Sequence, residues 1–176
     1  MHSEIAIEID AAPALVFGLA RDVERWDRLL PHYVRSRAVE RHLDGSLLTD
    51  FVARRPLLPI LGLGVAVIWR SRTWSEPETR RLRFVHVGGA TKGMDVTWRI
   101  EPLGSGGGAT RITIEHEFTP RLPLLAVVVD RWFTRPIAGR TLATFKALAE
   151  ALAEVPAEPS AQPSEAGAPF RADPPG

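Results

Sequence analysis

From residue 33 to residue 119 the chain is a succession of strand-like stretches separated by short turn signals, and beyond Pro123 its hydrophobic period becomes that of a helix. Stretches 33–43 and 46–54 flank Asp44-Gly45, a pair that readily adopts the left-handed conformations of a tight hairpin. Stretches 65–75 and 81–87 flank Glu76-Pro77-Glu78-Thr79. Stretch 94–101 follows Gly88-Gly89, and 109–119 follows the glycine-rich link 104–108. Strands joined by such short links pair antiparallel, because a parallel pair needs a crossover of about a dozen residues or more. That pattern rules out a doubly wound sheet.

The flanks complete the order. Ile5, Ile7 and Ile9 alternate with Ala6, Glu8 and Asp10, as in a half-buried strand. Pro13 suits a first helical turn and sets Leu15, Val16 and Leu19 on one face. Asp22 is placed to N-cap a second short helix carrying Val23, Trp26, Leu29 and Leu30, which Pro31 ends. Leu142, Phe145, Leu148 and Leu152 recur at helical spacing, with alanines between them, while Pro136 and Gly139 predict a kink or a separate first segment. The predicted fold is α+β, in the order β-α-α-β6-α. A seven-stranded antiparallel curved sheet wraps a long C-terminal helix, and an internal hydrophobic cavity remains where sheet and helix cannot touch.

Charge divides the chain. The net charge of +1 averages over residues 154–176, which carry six of the 15 prolines and a charge of −3, and a body at +4. We expect a ligand-binding domain over 1–153 and a disordered, acidic, proline-rich tail over 154–176. The absence of cysteine excludes disulfides, thiolate metal sites and a cysteine nucleophile. The start of the chain has no signal-peptide pattern, so a cytoplasmic protein is expected. The uncharged stretch around 57–69 is broken by Pro59, Gly62 and Gly64 and falls short of the ~20 residues that span a bilayer. Scattered arginines on a weakly basic body give no nucleic-acid signature.

Three segments carry a family resemblance: IEIDAAPALVFGLARDVERWDRLLPHY, FVHVGGATKGMDVTWRIEPLGSGGGATRITIEHEF and GRTLATFKALAEAL. Over residues 3–152 the chain resembles the START-related helix-grip (SRPBCC) superfamily, in the branch of polyketide aromatase/cyclases and coenzyme Q-binding START-like proteins. The resemblance implies a polyketide, quinone or lipid ligand, with a carrier-protein-bound substrate in the first case, and neither cofactor nor metal. It implies cavity positions at Trp26, Tyr33, Trp69, Ser71, Arg83 and Trp98, with the tyrosine steering or protonating a poly-β-ketone. Where it implies an arginine, this chain has Thr73, which supplies no fixed positive charge.

The residues themselves fill in the site. Met94, Val96, Trp98 and Ile100 alternate with polar neighbours, as do Ile112, Ile114, His116 and Phe118, so both sets should face the helix. His116 is then either an acid/base or a core histidine, and His86 has the same two readings. In the preceding hairpin one face reads Trp69, Ser71, Thr73, Arg83, Val85, Val87 and the other Ile68, Arg70, Arg72, Trp74, Leu82, Phe84, His86. Both are mixed, and the pattern leaves the inward face open. The expected catalytic residues are Tyr33, Arg83 and His116. The expected ligand-binding set is Trp26, Phe51, Trp69, Ser71, Thr73, Met94, Val96, Trp98, Phe118 and Arg140. The 104–108 glycines lead into a strand and make no phosphate cradle, His116-Glu117 lacks a second metal-binding histidine, and no G-x-S-x-G occurs.

Two apolar runs are unusual for connections: the uncharged 57–68 behind Arg54-Arg55, and 122–133, in which Leu122 to Val129 and then Trp132-Phe133 are flanked by Arg121, Arg131 and Arg135. Either forms a gate or peripheral membrane dock at the cavity mouth, a homodimer interface, or a lid. Function divides accordingly into a cyclase/dehydrase, a non-catalytic lipid or quinone carrier, and a ligand sensor.

Overall fold

The computed structural model describes residues 1–58, 63–89, 91–119, 129, 131 and 134–155. Strand β1 (His2–Ile9) leads through α1 (Pro13–Arg21), a 3-10 turn (Val23–Arg25) and α2 (Trp26–Leu29) into β2 (Tyr33–Arg41). The strands β3 (Leu47–Leu58), β4 (Leu63–Glu76), β5 (Arg81–Gly89), β6 (Met94–Leu103) and β7 (Ala109–Phe118) follow, and α3 (Arg135–Ala153) closes the chain. All seven strands pair antiparallel in the order β1-β7-β6-β5-β4-β3-β2. The element order and the antiparallel pairing agree with the β-α-α-β6-α reading of the sequence.

Local chemistry explains most boundaries. At the β2–β3 turn Gly45 takes φ 81°, and Asp44 Oδ1 accepts from the Ser46 amide at 3.0 Å. Pro13 and Pro136 each occupy the first turn of their helix, where a missing N–H costs nothing. Pro136 therefore opens helix α3 instead of kinking it, and the helix runs unbroken through Gly139. Asp22 makes no side-chain cap; it ion-pairs with Arg25 at 3.9 Å, and the second helix shrinks to a 3-10 turn plus four residues. Helix α3 buries Ala138, Thr141, Leu142, Phe145 and Ala149, a stripe at helical spacing that lies against the concave face of the sheet.

Two expectations change. The run 57–68 is not one long connection: β3 continues to Leu58 and β4 begins at Leu63, so only 59–62 link them, and these lie outside the described residues. So do nearly all of 122–133, apart from buried Val129 and exposed Arg131, and the tail beyond Val155. The second change is the facing of β4 and β5. A four-residue link, closed by Arg80 at φ 48°, sets Glu76 opposite Arg81, so odd residues of β4 meet even residues of β5. Ser71 pairs with His86 and Thr73 with Phe84. Arg83 consequently points outward, its guanidinium 5.8 Å from the Trp74 ring centre.

Candidate functional site

Between the concave sheet and α3 lies a cavity of about 80 Å³, room for two or three waters at their liquid volume of about 30 Å³ each. Its wall is aromatic because α2 drops Trp26 onto the sheet. The Trp26 ring centre is 5.2–5.9 Å from those of Tyr33, Phe51, Phe84, Trp98 and Phe145, and its Nε1–H donates to the Ala20 carbonyl at 3.0 Å. That bond satisfies the indole while its faces stay in apolar contact. Beside it Phe51, Trp69 and His86 stack in sequence, at 5.1 Å and 16°, then 6.0 Å and 24°.

His86 faces inward with Leu82 and Phe84, and its Nδ1 meets the Thr91 hydroxyl at 2.6 Å. Directly after it comes a β-bulge: between Ser71 and Arg70 the partner strand jumps from His86 to Gly88, so Val87 is extra and Gly89 stands opposite Trp69. Burial, aided by neighbouring His116, holds His86 down at about 3, so the ring is neutral at pH 7.

The other polar pole surrounds Tyr33. Burial raises its phenol well above the ordinary value of 10, and a hydrogen bond with Thr141 only partly offsets this. His32 Nε2 lies 2.9 Å from Thr141 Oγ1. Burial, with the nearby Arg140 charge, lowers His32 to about 4. Among the described residues, no aspartate, glutamate, lysine or arginine lines the cavity, and no group of three His, Asp or Glu could hold a metal. What these residues offer is hydrogen bonding without a carboxylate, lysine or arginine.

Trp26, Tyr33, Phe51, Trp69, Met94, Val96, Trp98 and His116 all reach the cavity. Ser71, Thr73 and Phe118 are buried on the inner face but lie outside its wall. The Ser71 hydroxyl donates to the Val85 carbonyl at 3.1 Å, and Thr73 pairs with the Thr49 hydroxyl at 3.1 Å. Arg140 is exposed on α3 and Arg83 is on the outer face, so neither lines the cavity. The wall also includes Thr91, Thr134, Ala138 and Thr141, which sequence reasoning did not single out. One and two helical turns before Phe145 stand Thr141 and Ala138, and that signal was present in the sequence.

A family model described as polyketide cyclase / dehydrase and lipid transport matches residues 1–155. No curated protein matches the chain. Among solved structures, a protein from Thermus thermophilus superposes with a TM-score of 0.67 at 19% identity, covering 88% of this chain and 100% of that one. The Zhui aromatase/cyclase of a Streptomyces species gives 0.66 at 18% identity, covering 85% and 93%. A START superfamily protein from Mycobacterium smegmatis gives 0.60 at 17%, covering 87% and 97%. At these identities the superpositions speak for the fold; the family model, spanning most of the sequence, speaks for descent. The chain belongs to the polyketide cyclase / dehydrase and lipid transport family, with a START-like helix-grip fold.

Proposed function

We propose that the cavity binds a neutral, oxygen-bearing hydrophobic molecule and promotes its aldol cyclisation and dehydration, as a polyketide cyclase. The observation that carries this reading is the pairing of an aromatic wall with polar groups, Tyr33 at one pole and His86 with His116 at the other. Aldol closure needs a base for an α-proton and a donor for the carbonyl oxygen that becomes the alkoxide. Tyr33 serves as the donor, and the His116 imidazole takes the α-proton. In the dehydration that follows, the histidinium gives its proton to the departing hydroxyl and the second α-proton restores the Tyr33 phenol, so both groups end as they began. Aromatic walls hold the reacting segment bent into a near-attack conformer.

Size and charge narrow the substrate. A space of about 80 Å³ holds no more than a single ring, since a cavity of about 150 Å³ takes one benzene, so a longer chain would enter by one end, as a carrier-protein-bound substrate does. With Thr73 paired to Thr49 and Arg83 outside, no arginine or lysine among the described residues meets an enolate, which favours a neutral enol route.

The same missing arginine supports a second reading, a non-catalytic carrier for a lipid or isoprenoid quinone. The β3–β4 arm exposes Val65 and Ile68 beside exposed Arg54, a surface suited to an anionic membrane. Turnover of a poly-β-ketone surrogate separates the two. Tyr33→Phe should slow cyclisation at least tenfold, and equal rates would remove Tyr33 from the chemistry. Mass spectrometry of co-purifying ligand with liposome flotation tests the carrier, which fails if neither lipid nor membrane binding is found.

A further inference from the structure

The turn between β5 and β6 brings a hydroxyl to a ring of the cavity wall, and its backbone holds it there. The Gly93 amide donates to the His86 carbonyl at 2.8 Å, the Lys92 amide to that of Gly89 at 3.2 Å, and the Met94 amide to that of Thr91 at 3.0 Å. Gly93 takes φ +88°, a left-handed conformation that glycine adopts without strain. Within this frame the Thr91 hydroxyl lies 2.6 Å from His86 Nδ1. Both side chains are buried, at 6% and 9% exposure, and both line the cavity. The Trp69 ring, stacked at 6.0 Å, fixes the plane of the imidazole.

An imidazole has two nitrogens, and the turn uses one of them. Among the described residues none hydrogen-bonds His86 Nε2, yet Nε2 is not one of the polar atoms sealed away without a partner. It is the polar atom that His86 has left for the cavity its ring lines. The ring is neutral at pH 7 and carries one proton on one of its two nitrogens. With the proton on Nε2, the Thr91 hydroxyl donates to Nδ1, and Nε2 is a donor. With the proton on Nδ1, that N–H donates to Thr91 Oγ1, and Nε2 is an acceptor. A hydroxyl serves both arrangements, and neither disturbs the turn, because the backbone bonds hold it. The proton count is the same in both, and exchange with water interconverts them.

A ketone oxygen only accepts, whereas an enol or phenol hydroxyl also donates. We propose that His86 reads the oxygen of the ligand through Nε2, and that Thr91 is the positioning residue that lets Nε2 donate to a ketone or accept from an enol or phenol. An arginine or lysine in this place would only donate, and a carboxylate would only accept. His86 would thus keep one contact with the same oxygen as a ketone enolises and as ring closure and loss of water leave an aromatic hydroxyl. The proposal deepens the cyclase reading and rests on this cavity being the ligand site.

Three one-ring probes test it: cyclohexanone, phenol and benzene. Nitrogen-15 NMR of histidine-labelled protein distinguishes protonated from bare ring nitrogens, and the His86 signals are those lost in His86→Phe. Cyclohexanone should drive the ring to the Nε2–H tautomer and phenol to the Nδ1–H tautomer. His86→Phe keeps a ring against Trp69; it should weaken cyclohexanone and phenol about three- to tenfold and leave benzene within about twofold of wild type. Thr91→Val should weaken the same two probes, and Thr91→Ser should restore both the affinities and the tautomer change. One tautomer with both probes overturns the proposal, as does wild-type affinity for both in His86→Phe. Wild-type affinities and tautomer change in Thr91→Val overturn the role of Thr91. If benzene binds while these results hold, the cavity reading stands without the proposal; if none of the three binds, both fall. Should His86→Phe not fold, His86→Gln identifies the signals and the tautomer result decides.

Discussion

Gly89 lies opposite Trp69 across the β4–β5 ladder, so close that a Cβ on Gly89 would sit 2.7 Å from the Trp69 Cα and 2.3 Å from the Ile68 carbonyl oxygen. Its φ of +87° adds a conformation that side-chain-bearing residues avoid. Gly89→Ala should therefore cost about 2–4 kcal/mol, a fall of roughly 5–15 °C in Tm. Gly45→Ala is the control: φ is +81° but nothing lies within 4 Å, so only the conformational cost of about 1 kcal/mol applies. Thermal melts of both variants check this, and equal losses would show that the close approach to β4 contributes nothing.

Arg83 and Phe84 are neighbours in sequence with opposite fates. Arg83→Ala removes an exposed-side contact with Trp74, worth about 0.5–1 kcal/mol, and should leave binding of cyclohexanone, a neutral one-ring ketone, within about twofold of wild type. Phe84→Ala takes a ring out of the cavity wall, should cost about 3–5 kcal/mol, and should abolish tight binding. Calorimetric titration of the two variants distinguishes the faces; weakened binding in Arg83→Ala would reverse the assignment.

Acid should loosen the fold before the carboxylates titrate. His32 and His86 stand at about 4 and about 3 in the folded chain, against 6.5 unfolded. As pH falls below 6.5 the unfolded chain takes up these protons and the folded chain does not. Stability is thus full above 6.5 and is lost as pH falls toward the folded values, by up to about 1.4 kcal/mol per pH unit for each ring. Urea midpoints from pH 7 to 4 should fall, and His86→Gln should flatten the slope by about half. A wild-type midpoint that is level across this range would contradict the burial of both rings.

At the alkaline end the sign is set by Tyr33. Its folded value is raised above 10 by burial, so the unfolded chain ionises first and stability declines as pH rises through 10. Because the chain has one tyrosine, tyrosinate absorbance should appear only as the fold is lost, coincident with the change in far-ultraviolet circular dichroism. Absorbance that rises before unfolding would place the phenol in contact with water.

The order of elements is legible in the sequence because each element depends on nearest neighbours: Asp44-Gly45 makes its own turn, and Ile5, Ile7 and Ile9 declare a face. Trp26, Tyr33, Trp98 and His116 are legible because alternation or the family resemblance places them. The facing of β5 is not, because the parity of a link is a property of two strands together, and the four-residue turn ending at Arg80 reverses it. Thr141 is legible as a wall residue, one helical turn before Phe145, but its contact with His32 is not, because that partner lies 109 positions away in sequence and no local pattern carries such a contact.

The strand order carries a kinetic consequence. From β2 to β7 each strand pairs with its sequence neighbour, so these links close small loops at little entropic cost and can form as successive hairpins. Strand β1 alone pairs far from its origin, with Ile5 opposite Ile114. Its docking closes a loop spanning most of the domain, and it belongs after the folding barrier. Substitutions in β1 then act on how long the native state lives, while the speed of its formation is decided in the meander.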